Sequence, residues 1–206
     1  MRVLVALGLV LLIAGCTAVS RPFDASPEQV AAAAYKADGP PKITVFTMVN
    51  NRSMTGGHTA IMVSGSQRVI YDPAGSFKHF DIPKRGDVLY GVTPAWLQSY
   101  KSAHARSTYH VVSQEFTVTP QQAETALALV QARGAVPGSM CTNATSGVLR
   151  QVPGFEDVNQ TWFPIRLMDQ LAQRPDVVTD RYYENDEGDV VDGIVSAQRT
   201  AASAGE

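Results

Sequence analysis

Three consecutive pieces of this chain constrain its fold most: the run His58–Ser64 (HTAIMVS), the loop Gly65-Ser66-Gln67, and the run Arg68–Gly75 (RVIYDPAG). Two β-branched runs joined by a short Gly-containing loop read as an antiparallel hairpin. A three-residue loop pairs Ser64 with Arg68 and fixes the alternation outward from there. On that register His58 faces Ala74, and Asp72 is its diagonal neighbour on the same face. A one-residue slip would send Asp72 to the other face. Asp72 also precedes Pro73, and Asp-Pro is an ordinary turn pair.

Similar signals surround the hairpin. Lys42–Asn50 (KITVFTMVN), Gly86–Val92, Thr108–Val118 and the stretch DVVTDRYYEN (176–185) read as strands. Ser26-Pro27, Thr93-Pro94 and Thr119-Pro120 each place an N-cap residue ahead of a proline at the first helical position. Gln122 completes a capping box with Thr119, and Gly134 stands past the end of that helix. Its apolar face is Ala123, Ala126, Leu127 and Val130. Ser139 is the expected cap of a helix beginning near Cys141 and ending near Gln151, and a last helix is expected over Pro164–Gln173. Strands and helices are not strictly interleaved, so the expected class is α+β, with an antiparallel sheet packed against helices.

The 206 residues contain two cysteines, Cys16 and Cys141. Cys16 ends the N-terminal stretch MRVLVALGLVLLIAGC. One positive charge is followed by an apolar run shorter than the roughly 20 residues that span a bilayer, the pattern of an export signal. Small residues followed directly by cysteine resemble a bacterial lipobox, which implies cleavage before Cys16, a lipid on its sulfur and membrane attachment. Thr17, rather than Asp, follows it. In Gram-negative lipoproteins that implies the outer membrane, facing the periplasm. The expected organisation is a signal peptide (1–15), a membrane-proximal linker (16–40), a folded domain (41–183) and a tail without fixed structure (184–206).

Cys141 is then left without an intrachain partner in an oxidising compartment. Placement in a first helical turn lowers a thiol's pKa, because unpaired N–H groups and the helix dipole favour the anion. A cysteine nucleophile needs a base. Of the four histidines, His104 reads as a solvated residue at a polar helix end. His79 falls in a loop, and His110 could face either way. His58 follows two glycines and opens an apolar strand, a good setting for a base. Asp72 would orient it and hold its tautomer. A packed, inert thiol is the other reading of Cys141.

The stretches GGHTAIMV, VIYDPAG and SMCTNATSGVL, in that order, resemble the circularly permuted NlpC-type branch of papain-fold enzymes. That branch includes YiiX/YaeF-like proteins and relatives of lecithin retinol acyltransferase. The resemblance covers roughly residues 42–171 and implies a permuted papain-like domain with Cys141 as nucleophile, His58 as base and Asp72 third. Members often carry His or a neutral polar residue at the third position, where this chain has Asp72. The implied activity is a cell-envelope cysteine hydrolase, a peptidase, amidase or acyl hydrolase. Its substrates would be peptides, peptidoglycan stem peptides or acyl lipids. A lipid acyltransferase and a non-catalytic binding or structural lipoprotein are the alternatives. Asn50, Asn51 and Ser53 are candidate oxyanion donors, beside the Cys141 backbone N–H.

No cofactor or metal is called for. HExxH and CxxC do not occur, and four scattered histidines do not form a zinc pattern. A net charge of -2 with no Lys/Arg run longer than two offers nothing to nucleic acid.

Overall fold

The computed structural model describes residues 24–188 and 191–195. Cys16, its expected lipid and the signal peptide lie outside the described residues. The strands are β1 (Lys42–Asn50), β2 (Gly56–Ser64), β3 (Arg68–Tyr71), β4 (Lys84–Arg85), β5 (Val88–Tyr90), β6 (Tyr109–Thr117) and β7 (Val178–Tyr182). The helices are α1 (Pro27–Ala32), α2 (Pro94–His104), α3 (Pro120–Arg133), α4 (Cys141–Leu149) and α5 (Pro164–Ala172). The strands form one antiparallel seven-stranded sheet, ordered β4-β5-β3-β2-β1-β6-β7. The chain is thus α+β. No helix among the described residues is long and apolar enough to cross a membrane.

Both faces of the sheet are covered. Ile43, Val45, Ile61, Val63, Val69 and Tyr71 pack with Ala126, Leu127 and Val130 of α3, Val148 of α4, and Leu167 and Leu171 of α5. On the opposite face Phe46, Met48, Ala60, Met62, Ile70 and Leu89 pack with Tyr100 and Ala103 of α2 and with Phe77. Burial on both faces is why β1 and β2 read as nearly unbroken apolar runs rather than strict alternations.

The hairpin has the expected register, with Ser64 opposite Arg68 and Val63, Met62 and Ile61 opposite Val69, Ile70 and Tyr71. The ladder stops there. The backbone N–H of Asp72 turns instead to the carbonyl of Asp87, at 2.8 Å, so His58 and Ala74 are not a ladder pair. α1, α2 and α3 begin at the expected caps, and the capping boxes of α1 and α3 are complete.

Three expectations need correction. Ser139 does not cap α4: it adopts φ +67°, Met140 occupies the cap position, and no side chain caps the helix. Residues 24–40 do not simply space the domain from a membrane. The Ala25 N–H donates to the Lys84 carbonyl at 2.8 Å, and the Arg68 N–H donates to the Tyr35 carbonyl at 2.6 Å. The tail is not structureless throughout either. Arg106 is paired with Asp186 and Glu184, residues 191–195 are helical, and Ile194 is buried in the second core cluster.

Candidate active site

The start of β2, the end of β1 and the chain leaving β3 meet at one end of the sheet, and α4 points its N-terminus there. His58 is the third residue of β2. The glycines before it have steric reasons: a Cβ on Gly57 would come within 2.6 Å of the Tyr109 ring, and one on Gly56 would overlap Pro164. The His58 side chain is 18% exposed, and Asp72 is fully buried beside it.

His58 Nε2 and Asp72 Oδ1 are 2.7 Å apart. Asp72 Oδ1 also accepts the Tyr100 hydroxyl at 2.8 Å. Asp72 Oδ2 has no hydrogen-bond donor among the described residues, and Lys84 Nζ stands 3.9 Å from it. A Cβ on Gly75 would overlap the carboxylate, so the turn after Asp72 closes only with glycine there.

Cys141 is the first residue of α4, which packs against β2. Thr142 Oγ1 lies 3.0 Å from Thr59 Oγ1 and ties the helix to the strand next to His58. The His58 ring and the Thr59 backbone N–H lie near enough to the thiol to favour its thiolate, and Thr142 Oγ1 is 3.8 Å from the sulfur. With Nε2 on Asp72, Nδ1 is the ring nitrogen left for the sulfur. The structure therefore brings Cys141, His58 and Asp72 together.

Their titration follows from these contacts. Burial alone would lower the His58 pKa, but the Asp72 carboxylate and the neighbouring Cys141 thiol outweigh that and raise it to about 10. Burial raises the Cys141 thiol, and the neighbouring His58 more than offsets this, bringing it to about 7. Burial also opposes charge on Asp72, yet His58 holds its carboxyl well below the usual carboxylate range. The pair therefore favours thiolate beside imidazolium at neutral pH, with a fixed carboxylate behind the ring.

The sequence missed several participants. His104, expected in solvent, is buried at the end of α2. Its Nδ1–H donates to the Tyr100 carbonyl at 2.8 Å, and its ring stacks on His58 with centroids 6.0 Å apart. Burial lowers its pKa to about 4 and keeps it neutral. Asp87 Oδ2 accepts the N–H groups of Ala74 at 2.9 Å and Val136 at 3.1 Å, joining the loop after Asp72 to the loop before Cys141. Between these loops lies a cleft of about 740 Å³, lined by Gly75, Phe77, Lys84, Pro137, Gly138 and Ile194. Cys141, His58 and Asp72 do not line it.

Asn50, Asn51 and Ser53 do not join the cluster. Asn50 Oδ1 accepts the N–H groups of Arg52 and Ser53 at 3.0 and 2.9 Å, and the Ser53 hydroxyl is 2.7 Å from that of Thr55. Asn51 donates to the carbonyls of Arg106 and Ser107 and accepts His110 Nδ1–H at 2.7 Å. All three hold the β1–β2 turn. α4 has no side-chain cap, which leaves the N–H groups of its first turn open beside the sulfur.

Donor atoms of His58, Asp72 and His104 lie within 4.8 Å of one another and could ligate a cation. The 2.7 Å His58–Asp72 bond and the Tyr100 hydroxyl already use the facing lone pairs, so a cation would have to displace both. No family model matches the chain, and no curated protein or solved structure matches it either.

Proposed function

We propose that this chain is a cysteine hydrolase acting on an amide or acyl ester of the cell envelope, built as a permuted papain-like domain. The observation that carries the reading is the convergence of Cys141, His58 and Asp72 from a helix start, a strand start and a strand exit. His58 is hydrogen-bonded to a carboxylate at 2.7 Å and lies beside the thiol, whose ionisation it favours. The chain order His58, Asp72, Cys141 is the permuted one.

The chemistry follows from the charges. The Cys141 thiolate attacks the substrate carbonyl carbon, and the carbonyl π electrons move to oxygen. First-turn N–H groups of α4 stabilise that oxyanion. The intermediate collapses, the C–N or C–O bond breaks, and His58 gives its proton to the leaving amine or alcohol. A thioester on Cys141 remains. His58, now neutral, takes a proton from water as the water attacks the thioester, and the thiolate leaves with a free acid formed. Asp72 keeps the imidazole in one tautomer and stabilises its charged form throughout.

The test is covalent capture. Purified protein is incubated separately with peptidoglycan fragments and with phospholipid, and the mass on Cys141 is followed. An acyl adduct that forms on wild-type Cys141 and is missing in both Cys141→Ala and His58→Ala identifies the donor. A Cys141 thiol that alkylates no faster than a free cysteine at neutral pH, with no adduct from either donor, sinks the hydrolase reading.

A further inference from the structure

The end of the sheet that carries the site also carries three large exposed apolar side chains. Met54, Trp162 and Phe163 are 60%, 54% and 56% exposed. They lie on two touching segments, because the Gly56 backbone packs directly on Pro164. Both segments border the nucleophile. Gly56 opens β2 two residues ahead of His58. Gln160 Nε2 donates to Asn143 Oδ1 at 3.1 Å, and the Thr161 N–H donates to Ser146 Oγ at 3.1 Å, both on α4. Arg52 and Arg166 are exposed beside the apolar groups, and the Arg166 guanidinium sits 4.7 Å from the Phe163 ring centroid. Segments 51–57 and 160–166 contain no carboxylate.

The first described residue lies at this same end. Asp24 Oδ1 accepts the Gly86 N–H at 3.0 Å. Gly86 lies between the end of β4 and the start of β5. Val88 pairs with Tyr71, where β3 hands over to Asp72. β4 is three strands from β2, about 14 Å at the usual strand spacing. The eight peptide steps from Cys16 to Asp24 span at most about 28 Å. A lipid on Cys16 would therefore hold the site end of the sheet close to the bilayer.

We infer that Met54, Trp162 and Phe163, with Arg52 and Arg166, form a docking face for an anionic phospholipid bilayer. The inference rests on the lipid-anchor reading of Cys16 for its tether. Trp and Phe settle at the headgroup boundary, and guanidinium groups pair there with lipid phosphates. Exposed apolar area that water disfavours is covered on contact. Docked this way, Cys141 works within reach of carbonyls held at headgroup depth.

Only two tryptophans occur, Trp96 and Trp162, which makes the test direct. Full-length protein is purified from membranes and reconstituted into vesicles of phosphatidylglycerol and phosphatidylethanolamine with brominated acyl chains. Vesicle flotation reads the anchor. Quenching of Trp162 in Trp96→Phe, against Trp96 in Trp162→Phe, reads the face. The expected result is flotation with Trp162 quenched several-fold more than Trp96. Each of Arg52→Gln and Arg166→Gln should weaken docking roughly fivefold. Cys141→Ala should dock unchanged, so loss of the hydrolase reading leaves this result untouched. Flotation with Trp162 as water-exposed as in detergent overturns the face and spares the anchor. No flotation overturns both. Trp162 shielded in a lipid-free dimer makes the surface a self-association face and overturns the proposal.

Discussion

Asp72 is fully buried, yet one of its oxygens serves two donors while the other has none among the described residues. A carboxylate in that position is tolerable only because an imidazolium and a hydroxyl meet it. This asymmetry gives the first prediction. Cys141 and His58 act as one unit, so Cys141→Ala, His58→Ala and the double variant should each lower kcat/KM by about 10⁴-fold or more, with little added in the double. Asp72→Asn keeps both reacting groups and should be milder. The pH profile carries the sign. The thiolate forms as pH rises through about 7, and the imidazolium is lost as pH rises through about 10, so wild type should give a bell between those limits, read as values of the pair. Asp72→Asn removes the charge that raises His58, and its alkaline limb should move to lower pH. An alkaline limb unchanged in that variant would detach Asp72 from the base. Gly75→Ala makes a complementary point. Its Cβ would overlap the Asp72 carboxylate, an overpacking that costs about 1–3 kcal/mol. It should lower kcat more than it raises KM, because the affected group positions the base.

The elements that hold the site are joined by few, specific bonds. The Thr142–Thr59 pair locks α4 to β2, and Asp87 ties the loop after Asp72 to the loop before Cys141. Asp87→Ala strands the N–H groups of Ala74 and Val136, at about 1–3 kcal/mol for a buried unsatisfied group. Melting temperature should fall, and iodoacetamide alkylation of Cys141 should slow as its helix start loses its fixed place. Unchanged alkylation would show that the two loops are independent. Much of this scale was legible in the sequence. Thr119-Pro120 with Gln122 marks α3 because a capping box is local chemistry, and the loop Gly65–Gln67 sets the hairpin because loop length fixes register. What was not legible is non-local. Nothing within ten residues of Asp72 announces the Tyr100 hydroxyl, and Asp87 looks like an ordinary turn acid. Ser139 has cap chemistry, but with its positive φ the cap position falls to Met140. His104 was misread from its polar neighbours, although its position four residues after Tyr100 and one after Ala103 places it on the buried face of α2.

At the scale of the whole molecule, the buried histidines and the thiol set how stability depends on pH, and they act in opposite directions. His104 is neutral in the fold, with a pKa lowered to about 4. An unfolded chain would protonate it near its ordinary value of about 6.5. Between those limits the unfolded state binds the extra proton, so stability must rise with pH, by up to about 1.4 kcal/mol per pH unit for one proton. His58 runs the other way. Its folded pKa is raised to about 10, so its contribution is full below about 6.5 and is lost as pH climbs to about 10. Cys141, lowered to about 7, gains stability as pH rises from there towards the ordinary thiol value of about 8.5. In that window the thiol's gain offsets the imidazole's loss, because the two groups share one proton. The expected curve climbs to a maximum near pH 6.5, is nearly flat to about 8.5, and falls beyond that. Thermal melts across this range check the shape. His104→Gln supplies the control: whatever it does to absolute stability, the slope between about pH 4 and 6.5 should flatten by one proton. A slope unchanged in that variant would mean that His104 is not held neutral against His58, and that the stacked pair is packing without electrostatic consequence.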